Sequence, residues 1–170
     1  MRKLLVILTM ASLSSTFALQ PGDSVPDTRV PSTSGESASL HDYTGQWVVL
    51  YFYPRAFTPG CTAQSCSLRD EFGEIQDRGA VILGVSLDSP ARQQSFKQEH
   101  HLPFDLLSDE DKELARAFDS LMVGGLMAAR KTFIINPAGQ VAHRFDRPST
   151  ADHATEVIRE LDRLLAAAES

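Results

Sequence analysis

Cysteine is scarce in this 170-residue chain: it holds two, Cys61 and Cys66, with four residues between them. Two thiols at that spacing with no histidine beside them do not make a tetrahedral ligand set, which argues against a metal site. The five histidines, His41, His100, His101, His143 and His153, are dispersed and read as surface or hairpin residues. Positive charge is also in short supply. Against 22 acidic residues stand 16 Lys and Arg, for a formal net charge of −6, and the basic residues are scattered rather than gathered into a stripe. A nucleic-acid-binding role therefore has no electrostatic basis. The chain shows no internal repeat and no linker long enough to divide it.

What is present starts with Met1-Arg2-Lys3 and an apolar run from Leu4 to Ala11 that continues weakly to Phe17-Ala18. The run falls short of the roughly 20 residues needed to span a membrane. A basic start, a short apolar stretch and the small residues Thr16 and Ala18 predict a secretory signal peptide over residues 1–18, cleaved after Ala18. No cysteine follows the run to carry a lipid. The expectation is a periplasmic or otherwise secreted domain, residues 19–170, with no membrane attachment after cleavage. Hydrophobic residues make up 42% of the chain, enough to fill the core of one ordinary domain without metals or multiple disulfides.

The periodicities predict an α/β fold. Trp47 to Tyr53 and Ala80 to Leu87 are continuous apolar runs, as expected for central strands buried on both faces. Between them, Cys61 to about Asp77 carries Leu68, Phe72 and Ile75 at helical spacing, which gives strand, helix, strand and a parallel pair. Pro90 opens a second helix with Ser89 as its cap. Ser108-Asp109-Glu110-Asp111 is expected to open a third, its acidic residues complementing the helix dipole. Lys131–Asn136 and Gln140–Phe145 flank Pro137-Ala138-Gly139 as a β-hairpin. A final helix over residues 150–167 lines up Val157, Ile158, Leu161, Leu164 and Leu165. That order suits a thioredoxin-like fold, a mixed central sheet flanked by helices.

The stretch from Tyr53 to Cys61 lies where a buried strand ends and a helix begins, the edge of an α/β sheet at which sites gather. A cysteine in a first helical turn faces the positive end of the helix dipole and free N–H groups, both of which favour the thiolate. Cys61 has that position and Cys66 does not. A disulfide closing so short a loop adds little stability, so the pair points to redox chemistry rather than to a staple.

Pro54, Thr58 and Cys61 reproduce a Pro-x-x-x-Thr-x-x-Cys signature. Thr58-Pro59-Gly60-Cys61-Thr62 with Cys66 resembles the peroxiredoxins, specifically the peroxiredoxin Q or bacterioferritin comigratory protein branch. The similarity extends through Val48–Pro54, Gly79–Ser89, Leu102-Pro103-Phe104, Leu107-Ser108-Asp109 and Arg130–Ile135. It implies a thiol peroxidase that reduces hydrogen peroxide and organic hydroperoxides, with Cys61 peroxidatic, Cys66 resolving and Arg130 the active-site arginine. A thioredoxin-like protein would restore the dithiol, no cofactor or metal is called for, and a monomer or weak homodimer is expected. The chemistry gives each residue a purpose: Thr58, the Cys61 N–H and Arg130 can donate to the two peroxide oxygens, while Pro54 shields the sulfur. Phe57 stands ready as a pocket wall or a dimer contact.

Two further expectations come from spacing. Residues five apart in a regular helix have Cα atoms roughly 8 to 9 Å apart, whereas a disulfide needs them within about 7 Å. The helix must therefore unwind locally for Cys61 to bond Cys66. The rival class is a periplasmic thiol–disulfide oxidoreductase acting on protein disulfides. Such proteins place two residues between their cysteines and a cis-proline where this chain has Ala128-Ala129-Arg130.

Overall fold

The computed structural model describes residues 18–169. The expected signal peptide lies outside them except for Ala18. Among the described residues no helix is long and apolar enough to cross a membrane.

A five-stranded sheet forms the centre, in the order β5-β4-β3-β6-β7. Strands β3 (Trp47–Phe52), β4 (Ala80–Ser86) and β5 (Asp105–Ser108) run parallel, and β6 (Lys131–Ile135) and β7 (Val141–Phe145) continue the sheet antiparallel. A two-stranded ribbon, β1 (Val30–Pro31) with β2 (Ser37–Ala38), lies ahead of it in the chain. This is the thioredoxin-like α/β architecture. Strand β3 is central, and Val48 to Phe52 are at most 1% exposed, which is why its sequence is apolar without alternation.

The pleat divides β3 between two cores. Val48, Leu50 and Phe52 pack with Leu83, Val85, Phe133 and Phe118 on one face. Val49 and Tyr51 pack with Ile82, Ile134 and Leu106 on the other, under the helices. Those helices are α1 (Pro59–Asp70), α2 (Phe72–Asp77), α3 (Pro90–Glu99) and α5 (His153–Ala168). They contribute Leu68, Ile75, Phe96, Val157 and Leu161 to this core, each full burial worth about 1.5–3 kcal/mol. The short helix α4 (Glu113–Ala117) closes the opposite face with Leu114 and Ala115.

Strands β3 and β4, the β6–β7 hairpin and α3 fall where expected, the last with Pro90 at its start and the Ser89 hydroxyl accepting from the Arg92 N–H. Three expectations need correction. The single helix from Cys61 to Asp77 is two, broken at Glu71 (φ −106°, ψ 19°). Gly73 is a weak helix former, and Phe72 turns in to meet the Phe104 ring at 6.4 Å. The third helix does not open at Ser108, which ends β5. Buried Asp109 instead reaches ahead, its carboxylate accepting from the Leu114 and Ala115 N–H groups at 3.2 and 2.7 Å. His153 is not a surface residue: it is 0% exposed.

Candidate active site

Strand β3 delivers Tyr53 fully buried, and Pro54 then turns the chain out of the sheet. The loop that follows is held from the α3 side. The Ala56 N–H donates to Asp88 at 2.8 Å, and Arg92 donates to the Ala56 carbonyl at 2.8 Å. Asp88 also accepts from the Ser86 hydroxyl at 2.7 Å and pairs with Arg92 at 3.1 Å. This frame holds Phe57 at φ 69°, a left-handed conformation costing a bulky residue about 1–3 kcal/mol. The Phe57 ring sits 5.2 Å from Phe96 with the Arg92 guanidinium 5.1 Å from its centroid.

Thr58 is the residue before α1 and Pro59 occupies its first turn. The Thr58 hydroxyl does not cap the helix. It donates back to the Arg55 carbonyl at 2.9 Å, closing the loop on itself, while the Thr58 carbonyl accepts from the Thr62 N–H at 2.9 Å. Cys61 therefore lies in the first turn of α1, 1% exposed, at the end of the helix where the dipole is positive and N–H groups have no intrahelical partner.

Arg130, ahead of β6, crosses to this turn. One guanidinium nitrogen, Nη2, lies 3.4 Å from Cys61 Sγ, while Nη1 donates to Gln64 Oε1 and lies 3.5 Å from the Gly60 carbonyl. Gly60 leaves the space for it: a Cβ there would stand 3.2 Å from Arg130 Nη2. Gln64 is fully buried; its Oε1 accepts from Arg130, and its Nε2 has no partner among the described residues. Gln64 escaped the sequence reading, although it sits one turn after Cys61 on the same inward face.

The start of α5 backs this arrangement. Fully buried His153 shares a hydrogen bond with the Thr132 hydroxyl at 3.1 Å. Burial, and secondarily the positive charge of Arg130, push the His153 pKa down to about 4. The imidazole is therefore neutral at pH 7. Cys66 lies further along α1, half-buried, and both cysteines are free thiols. Among the described residues no group of three or more His, Cys, Asp or Glu is placed to hold a metal.

Cys61, Arg130 and Gln64 thus converge, and Thr58 stands at the mouth of the same helix with its hydroxyl engaged elsewhere. Pro54 faces an open pocket of about 290 Å³ that it lines with Arg55, Leu87, Asp88, Leu126 and Met127. A buried sulfur under a fixed guanidinium, at a helix start, is arranged for nucleophilic attack with charge stabilisation beside it.

Comparison with known proteins agrees. The AhpC/TSA family model matches residues 21–144. Peroxiredoxin Bcp of Bacillus subtilis (strain 168) is 36% identical over 151 residues, covering 85% of this chain and 96% of that protein. Peroxiredoxin Bcp of Escherichia coli (strain K12) is 38% identical over 146 residues, with 82% and 94% covered. A solved structure of Xanthomonas campestris peroxiredoxin Q aligns with a TM-score of 0.78 at 33% identity, over 88% of this chain and 98% of that one. Another, of the bacterioferritin comigratory protein of Xanthomonas campestris, was described for its alkyl peroxide reduction activity and aligns with a TM-score of 0.78 at 32% identity, over 85% and 98%. The chain belongs to the AhpC/TSA family and, within it, to the peroxiredoxin Bcp/PrxQ family of thiol-dependent peroxidases.

Proposed function

We propose that Cys61 attacks the peroxide, that Cys66 resolves the product, and that hydrogen peroxide and organic hydroperoxides are both substrates. The observation that carries this reading is the Arg130 guanidinium 3.4 Å from a buried Cys61 sulfur. The thiolate attacks one oxygen of the O–O bond, which breaks to leave Cys61 as a sulfenic acid. Arg130, anchored by Gln64, offers its donors where negative charge grows on the departing oxygen, which takes up a proton from solvent and leaves as water or an alcohol. The Cys66 sulfur then attacks the Cys61 sulfur, forming a disulfide and releasing water. A thioredoxin-like dithiol protein returns both thiols. Thr58 fixes the loop through Arg55, and Pro54 shapes the approach beside the open pocket.

The basic and apolar pattern of residues 1–18 supports export and cleavage after Ala18, leaving residues 19–170 to work in the periplasm or outside the cell as a monomer or weak homodimer. The reductant in that setting is a thioredoxin-like protein of the same compartment.

The test is peroxide consumption by the parent, Cys61→Ser and Cys66→Ser proteins with a thioredoxin-type donor, combined with mass spectrometry after one peroxide pulse. The parent turns over and loses two hydrogens. Cys61→Ser is inactive, and Cys66→Ser reacts once and gains oxygen. A Cys61→Ser protein that still consumed peroxide would overturn the assignment.

A further inference from the structure

The distance between the Cys61 and Cys66 Cα atoms is set by the backbone torsions of residues 62 to 65. While those residues are helical the separation is roughly 8 to 9 Å, beyond the reach of a disulfide. Closing the bond means changing torsions inside this stretch. Two of its residues are anchored by buried side chains. Gln64 holds Arg130. Ser65, fully buried, has its hydroxyl 2.9 Å from that of Tyr51, and Tyr51 is fully buried near the C-terminal end of β3, the central strand. Beyond Cys66, the Ser67 hydroxyl accepts the Ala154 N–H of α5 at 3.1 Å. Cys66, half-buried, sits between these ties.

We propose that the Tyr51–Ser65 hydrogen bond is a latch that keeps α1 helical and sets how long oxidised Cys61 waits for Cys66. This rests on the reading of Cys61 and Cys66 as a disulfide-forming pair. Tyr51 and Ser65 are positioning residues, acting through the backbone between the two sulfurs. Gln64 is anchored too, but to Arg130, so its loss disturbs the attack on peroxide as well. The Ser65 anchor ends on a strand paired on both sides and does not follow the helix when it unwinds. Opening α1 therefore leaves the Tyr51 hydroxyl buried without that partner. In the step so delayed, the Cys66 sulfur bonds to the Cys61 sulfur. The S–O bond breaks, and hydroxide leaves with the Cys66 proton as water. While the latch holds, the sulfenic acid persists, and a second peroxide can carry it to sulfinic acid.

The experiment compares the full-length parent with Tyr51→Phe, Ser65→Ala and the double variant. The two single variants approach one bond from opposite elements, and neither adds bulk. Each protein, reduced, is mixed with one equivalent of hydrogen peroxide, quenched at intervals, labelled and resolved by mass spectrometry into thiol, sulfenic and disulfide forms. Oxidation of Cys61 is expected at the parent rate. Disulfide formation is expected about two- to tenfold faster in each single variant, the range given by one net hydrogen bond. The double variant should be no faster than the singles, because both remove the same bond. The sulfinic acid yield at excess peroxide should fall. Resolution at the parent rate in both single variants, or effects that simply add in the double, overturns the latch. A parent that forms no Cys61–Cys66 disulfide overturns the underlying pairing instead.

Discussion

Acid should loosen this protein through His153. Its imidazole is 0% exposed, and its pKa is pushed from the ordinary 6.5 to about 4, first by burial and then by Arg130. The Glu156 carboxylate lies 3.8 Å from Nδ1 and works the other way without reversing the shift. Because the folded value is depressed, the unfolded chain binds the extra proton between about pH 6.5 and pH 4. The stability is complete above that window and is lost as pH falls through it. A shift of this size corresponds to about 3 kcal/mol in full, of which about 2 kcal/mol is gone by about pH 4.5. Urea denaturation of the reduced protein at about pH 7 and pH 4.5 measures it, with His153→Gln as the comparison. Glutamine still reaches for the Thr132 hydroxyl but does not titrate. Acid losses from carboxylates held low by partners, such as Glu160 beside Arg163, are common to both proteins and cancel. The parent is expected to lose about 2 kcal/mol more than the variant on acidification. Equal losses would refute a buried neutral His153.

Two further outcomes follow from close contacts. A Cβ at Gly84 would stand 2.7 Å from the Tyr51 ring and from Leu106, so Gly84→Ala should destabilise the fold by about 1–3 kcal/mol, seen as a lower urea midpoint. An unchanged midpoint would show that the sheet accommodates the methyl. Arg130→Lys keeps the charge but loses the fork that spans Cys61 and Gln64. The second-order rate constant for Cys61 with hydrogen peroxide should drop about a hundredfold, and competition kinetics showing a drop below tenfold would contradict the role given to the guanidinium.

Much of this was legible because some physics is local. The unbroken apolar runs of β3 and β4 announce strands covered on both faces, and Thr58-Pro59-Gly60-Cys61 announces a helix start with a thiol in it. Strand β5 was missed because four residues with polar ends, Asp105 to Ser108, carry no period. Asp109 misled because an acidic residue ahead of a helix looks like its first turn, whereas this one caps from five and six residues away. The burial of His153 was available in principle, since it leads the i, i+4, i+8 series completed by Val157 and Leu161. Gln64 stayed hidden, because a polar residue on an inward face declares itself only when its partner, 66 residues away in sequence, is in place.

Tyr51 of β3 and Tyr53, just past its end, have one more consequence. Tyr51 and Tyr53 stack at 5.4 Å on the same face, yet their hydroxyls go to different helices, Tyr51 to Ser65 of α1 and Tyr53 to Gln93 of α3. One strand therefore serves as the common datum for both walls of the site. The α3 side, which fixes Phe57 and the loop before the thiol, is referenced to the sheet independently of α1. On the proposed opening of α1, the strand is the stator and α1 the moving part, and each turnover rebuilds the helix against a template that stays in place.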